Sequence, residues 1–135
     1  MIHNVIETKE ALIRITREVV EDFVKDGIVY AEIRTTPREY TVGEYISEKD
    51  GIDIILNIIK EMERKYSSRI HIRLLLSINR SESKYDRMLA RFLIHRGKAM
   101  RTAQLAIHYR NSKEYHIVGV DLSGNPTVYN DVKEI

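Results

Sequence analysis

Three segments of this 135-residue chain change character in the same way, and that shared change most limits what it can fold into. They are Val29-Tyr30-Ala31-Glu32-Ile33-Arg34-Thr35-Thr36-Pro37, Arg73-Leu74-Leu75-Leu76-Ser77-Ile78-Asn79-Arg80 and Ile117-Val118-Gly119-Val120-Asp121-Leu122-Ser123-Gly124-Asn125-Pro126. Each is β-prone and turns polar at its C-terminal end. Successive strand residues point to opposite faces. One face therefore carries Val29, Ala31 and Ile33, then Ile72, Leu74, Leu76 and Ile78, then Val118, Val120 and Leu122. The other carries Tyr30, Glu32 and Arg34, then Arg73, Leu75, Ser77 and Asn79, then Gly119, Asp121 and Ser123. A doubly wound sheet, covered on both sides, calls for strands apolar on both faces. A barrel with helices outside and a polar upper interior fits this pattern better, and chemistry in such barrels collects at the strand C-termini. A sheet with one face in water is the rival arrangement.

The strands, predicted at Ile28 to Ile33, Ile70 to Ile78 and His116 to Leu122, alternate with helical stretches. Thr8 suits the cap of a first helix with Leu12, Ile15, Val19, Phe23 and Val24 at helical spacing, and Asp26-Gly27 ends it. A second helix is predicted from Asp50-Gly51, with Ile52, Ile55, Leu56, Ile59 and Met62 on one stripe. The stretch Ser81 to Asn111 reads as two pieces, Lys84 to His95 and Lys98 to Tyr109, divided at Gly97. Tyr129 to Ile135 reads as the start of a further helix. The order αβαβααβ predicts one α/β domain over residues 1–135: a partial (β/α)8 TIM-type barrel with three parallel strands and outer helices. A whole barrel of this kind uses about 250 residues.

With Lys+Arg 22 against Asp+Glu 20, charge nominates neither nucleic acid nor membrane as a partner. The basic stretch Arg80, Lys84, Arg87, Arg91, Arg96, Lys98, Arg101 is interspersed with Leu89, Phe92 and Leu93 and reads as a solvated helix face. Cys 0 excludes a disulfide framework and thiolate metal sites. No apolar run approaches the roughly 20 residues of a membrane helix, and Met1-Ile2-His3-Asn4 lacks the regions of a signal peptide. The expected setting is the cytosol. Thr35, Thr36 and Arg38 offer hydroxyls and a forked guanidinium after a strand, a set suited to a phosphate monoester. A strand end with a solvated Arg38 accounts for the same residues.

The two outer motifs, Tyr30-Ala31-Glu32-Ile33-Arg34-Thr35-Thr36-Pro37-Arg38 and Gly119-Val120-Asp121-Leu122-Ser123-Gly124-Asn125-Pro126, with Arg73 to Arg80 between them, resemble the adenosine/AMP deaminase family. They are most similar to its branch acting on N6-methyl-AMP, and span the second to fourth strand units of that family's barrel. The resemblance implies a zinc-dependent hydrolase that replaces the exocyclic amine at purine C6 with oxygen, converting N6-methyl-AMP to IMP and methylamine. It implies substrate-binding roles for His3, Thr35, Thr36, Pro37, Arg38, Asn79 and Gly124. Asn79 stands where close relatives have an Asp, and so cannot supply a charge.

The family's zinc is held by a His-x-His pair, a further His and an Asp, with a Glu to move the proton. No His-x-His occurs here, and His3, His71, His95, His108 and His116 are scattered. The expectation is a segment truncated at both ends relative to the family, with Met1 internal, no metal ligands, no catalytic residue, and no activity by itself. Its partner would be a purine nucleotide, and the family-like state a monomer. Glu32, Arg34, Arg73 and Asp121 are expected to form a paired structural network on the inward face. Two alternatives remain: a non-catalytic partial barrel that self-associates through open sheet edges, and a small doubly wound nucleotide-binding domain, which lacks a Gly-rich phosphate loop here.

Overall fold

The structure is a computed structural model that describes residues 6–79 and 88–123. Its elements run α1 (Lys9–Lys25), β1 (Tyr30–Thr35), α2 (Glu48–Lys65), β2 (His71–Asn79), α3 (Met88–Asn111) and β3 (Ile117–Ser123). The strands are parallel and form one sheet in the order β1-β2-β3. The predicted strands therefore exist, each displaced toward the C-terminus by one or two residues. Among the described residues no helix is long and apolar enough to cross a membrane.

Two compact units divide the chain: Met1–Ile33 with Pro37–Leu74, and Arg34–Thr36 with Leu75–Ile135. In the first unit, Thr8 caps α1 by accepting a hydrogen bond from the Ala11 N–H at 3.2 Å. At its other end Gly27 takes φ +76°, and the Gly27 and Ile28 N–H groups donate to the Val24 and Phe23 carbonyls. α1 packs on α2, and the core gathers Leu12, Val20, Ile52, Leu56, Ile59, Met62, Ile70, Ile72 and Leu74, all nearly sealed from solvent.

α2 starts two residues earlier than Asp50, because Ser47 accepts the Asp50 N–H at 3.1 Å and caps it. Gly51 therefore sits inside its first turn. Between α2 and β2 the backbone turns through Ser67 and Ser68, both at positive φ (52° and 60°). This tight return carries Glu63, near the end of α2, to the start of β2. There its Oε1 accepts the Ile72 N–H at 2.8 Å and an Arg73 guanidinium N–H at 3.2 Å.

In the second unit α3 packs on β3. α3 runs unbroken through Gly97, contrary to the predicted division; the predicted start at Lys84 lies outside the described residues. A single glycine costs a helix only about 1 kcal/mol relative to alanine, which a 24-residue helix can absorb. The apolar row of β3 also departs from expectation. Val118, Val120 and Leu122 are 48%, 46% and 56% exposed, and an open groove of about 600 Å³ runs beside Val118 and Val120, edged by Ala106, Ile107 and Tyr115.

Candidate functional site

Of the residues singled out in sequence, Thr35 and Asn79 end strands β1 and β2, and Thr36, Pro37 and Arg38 follow β1. In the second unit, Thr35 and Thr36 are half-buried at the end of β1. Beside them the polar face gathers around one carboxylate. The Asp121 Oδ2 of β3 receives Arg34 of β1 at 3.4 Å and lies 3.4 Å from the Ser77 hydroxyl of β2. Ser77 is 2% exposed, and its hydroxyl also lies 2.6 Å from that of Ser123. A hydroxyl has one proton to donate, so when Ser77 donates to Asp121 it accepts from Ser123, and when it donates to Ser123 the Ser123 proton is free for the Ile78 carbonyl at 3.4 Å.

Thus Arg34 and Asp121 do pair, as expected from the sequence, but the anticipated four-charge network is split. Arg73, in the first half of β2, turns to Glu63 of α2 instead, and Glu32 accepts the Tyr30 hydroxyl at 2.9 Å. That bond to a carboxylate is the chief reason the Tyr30 phenol is raised above its ordinary value.

In the first unit, Pro37 is buried and the Arg38 guanidinium lies over the Tyr40 ring, 4.8 Å from its centroid. Tyr40 is held by its backbone: it exchanges hydrogen bonds with Ile46 at 2.9 and 3.0 Å, closing a short hairpin that delivers the chain to Ser47 and α2. Its ring lies against Gly51, where an added Cβ would come within 3.0 Å of Cε2. Burial pushes the Tyr40 phenol above its ordinary value, partly opposed by the Arg38 charge. The first turn of α2 already carries Glu48 and Asp50, which disfavours an anion at that helix end.

Asn79 is the last residue of β2, with its side chain outside the described residues, as are His3 and Gly124. Sequence reasoning passed over four residues. Ser77 and Ser123 were on the polar face by simple alternation, a usable signal; Tyr40 and Gly51 had none, because their contact depends on the hairpin path.

The chain is an α/β protein with parallel strands and polar groups at their C-terminal ends, the end at which barrel folds of this class place their sites. The comparisons make the family specific: the sequence matches the adenosine deaminase family over residues 1–130, and the chain belongs to that family. An N6-methyl-AMP deaminase of Danio rerio is 30% identical over 128 residues, covering 95% of this chain and 33% of the relative. An N6-mAMP deaminase of Arabidopsis thaliana is 32% identical (95% and 37%), and an adenosine deaminase-like protein of Drosophila melanogaster 33% identical (93% and 32%). The chain spans about a third of the length of these curated relatives.

Zinc is the metal the family implies. Among the described residues no three His, Asp or Glu side chains come together to hold a metal ion. His116 is paired with Glu114 through Nδ1 at 3.1 Å, and His71 begins β2, at the opposite end of the strand from Ser77 and Asn79. The described residues do not fit the ion, and no chemical step is assigned through it.

Proposed function

We propose that this chain supplies the nucleotide-positioning part of a partial (β/α)8 aminohydrolase barrel whose substrate is a purine monophosphate of the N6-methyl-AMP type. The observation that carries the reading is Arg38 laid over the buried Tyr40 ring, directly after Thr35-Thr36-Pro37 at the end of β1. A guanidinium held there offers a forked donor to phosphate oxygens. In this reading Arg38 binds phosphate, and the resemblance implies substrate contacts for Thr35, Thr36, Pro37, Asn79, Gly124 and His3. The resemblance and the relatives' names support a deaminase of nucleotides; a cytosolic setting, and zinc held by residues other than those described, are part of the same proposal.

Held alone, the chain is expected to bind nucleotide without turning it over. Two measurements test this: calorimetric titration with AMP and with adenosine, and methylamine or ammonia release from N6-methyl-AMP or AMP by zinc-loaded chain. Tighter binding of AMP than adenosine, with no release above a metal-only blank, is the expected result. Turnover above the blank would overturn the inertness, and equal affinity for the two ligands would overturn the phosphate role.

A second reading rests on the outward row Val118, Val120 and Leu122: the chain self-associates through β3. Light scattering that gives a monomer mass at high protein concentration would remove it.

A further inference from the structure

α2 places a glycine in its first turn, where alanine would favour the helix, and the packing gives the reason. A Cβ at Gly51 would lie 3.0 Å from Tyr40 Cε2, 3.6 Å from Cδ2 and 3.7 Å from the Arg38 carbonyl oxygen. The missing side chain lets the Tyr40 ring lie against the helix backbone. Tyr40 is 6% exposed, and paired hydrogen bonds to Ile46 fix the backbone that bears its ring. Arg38 then lies over the ring 4.8 Å from its centroid, inside the range where the negative ring face attracts a cation. Gly51, the ring and the guanidinium therefore meet at one place, at a position that in the sequence reads only as part of a helix start.

We infer that Tyr40, seated on Gly51, is a positioning residue that holds the Arg38 guanidinium ready for the phosphate of a purine monophosphate, and so sets the preference for nucleotide over nucleoside. The inference rests on the proposed phosphate role of Arg38. Arginine loses much rotamer freedom when it grips a ligand, and a guanidinium already lying on a ring loses less at that moment. The ring supplies its face for this purpose, so the phenol oxygen of Tyr40 is not required.

The test is the ratio of AMP to adenosine affinity, measured by titration calorimetry on the full chain and four variants, with folding checked by circular dichroism. Arg38→Gln should lower the ratio by roughly ten- to a hundred-fold, the loss of a charge-assisted contact. Tyr40→Leu should lower it by roughly three- to ten-fold by removing the ring face. Tyr40→Phe should retain most of the preference, a rescue that a role for the hydroxyl would not allow. Gly51→Ala should lower the ratio in the same direction as Tyr40→Leu, and decides the matter if Tyr40→Leu does not fold. A fall for Arg38→Gln with no change in folded Tyr40→Leu, or in Gly51→Ala where Tyr40→Leu does not fold, overturns the inference and leaves the phosphate role standing. No fall for Arg38→Gln, or no AMP preference in the unaltered chain, overturns both. A loss in Tyr40→Phe equal to that in Tyr40→Leu overturns the assignment to the ring.

Discussion

Replacing Glu63 with alanine should destabilise the first unit more than any surface carboxylate would. Glu63 lies near the C-terminal end of α2, where the helix dipole disfavours a negative charge. What keeps it there is β2. Its Oε1 accepts the Ile72 N–H at 2.8 Å and the Arg73 guanidinium at 3.2 Å, with the two side chains of the ion pair 15% and 25% exposed. Ile72 is fully buried, so Glu63→Ala strands a backbone donor away from water, at about 1–3 kcal/mol. Arg73 loses an ion-pair partner that water only partly replaces, adding up to about 1 kcal/mol. The sum is roughly 1–4 kcal/mol. Glu63→Gln keeps an oxygen for the Ile72 N–H and should cost only about 1 kcal/mol, the loss of charge assistance. Urea unfolding reads both as a lower midpoint at unchanged slope. Two results would refute the reasoning: Glu63→Ala within about 0.5 kcal/mol of the parent, the range of an ordinary surface substitution, or glutamine as damaging as alanine.

Tyr40 predicts a pH dependence. Its folded pKa is raised by burial above the ordinary 10.0, so the folded state keeps its proton where the unfolded state has released it, and stability is lost as pH rises past about 10. Tyr40→Phe should flatten that part of the profile in thermal melts taken from pH 8 to 11, and an unchanged slope would count against a buried phenol. Gly97→Ala should stabilise by about 0.5–1 kcal/mol in urea unfolding, because among the described residues only the Arg101 guanidinium lies near the added Cβ, at an ordinary 3.5 Å. Leu74→Ala, at a nearly sealed position, should cost about 2–5 kcal/mol in the same assay. Val120→Thr, on the exposed row of β3, should stay within about 0.5 kcal/mol of the parent in urea unfolding, whereas a buried valine would lose more.

The parts of this fold that could be read beforehand are those set by neighbours in sequence. Thr8 and Gly27 bracket α1 because capping needs only a hydroxyl before the first turn and a positive φ after the last. Alternation likewise put Ser77, Asp121 and Ser123 on one face. It could not show that a single carboxylate would draw in Arg34 and Ser77, since that depends on strand register. Nor could it show that Arg73 would leave the inward charges for Glu63, ten residues earlier. That pairing follows from the return through Ser67 and Ser68, two left-handed serines that no local rule nominates.

The two glycines that misled the helix boundaries were misread for one reason but sit in helices for different ones. A glycine in a helical stretch signals weak helix propensity, and propensity alone argues for a boundary at Gly51 and a break at Gly97. At Gly97 the described surroundings leave room for a methyl group, so the helix merely tolerates the residue. At Gly51 the space is taken by the ring on which Arg38 lies. The same substitution to alanine should therefore have opposite consequences at the two sites: a modest gain in stability at Gly97, and at Gly51 a displaced ring with a weakened preference for phosphate. Whether a helical glycine bears on function is decided by what occupies the volume its side chain would have filled.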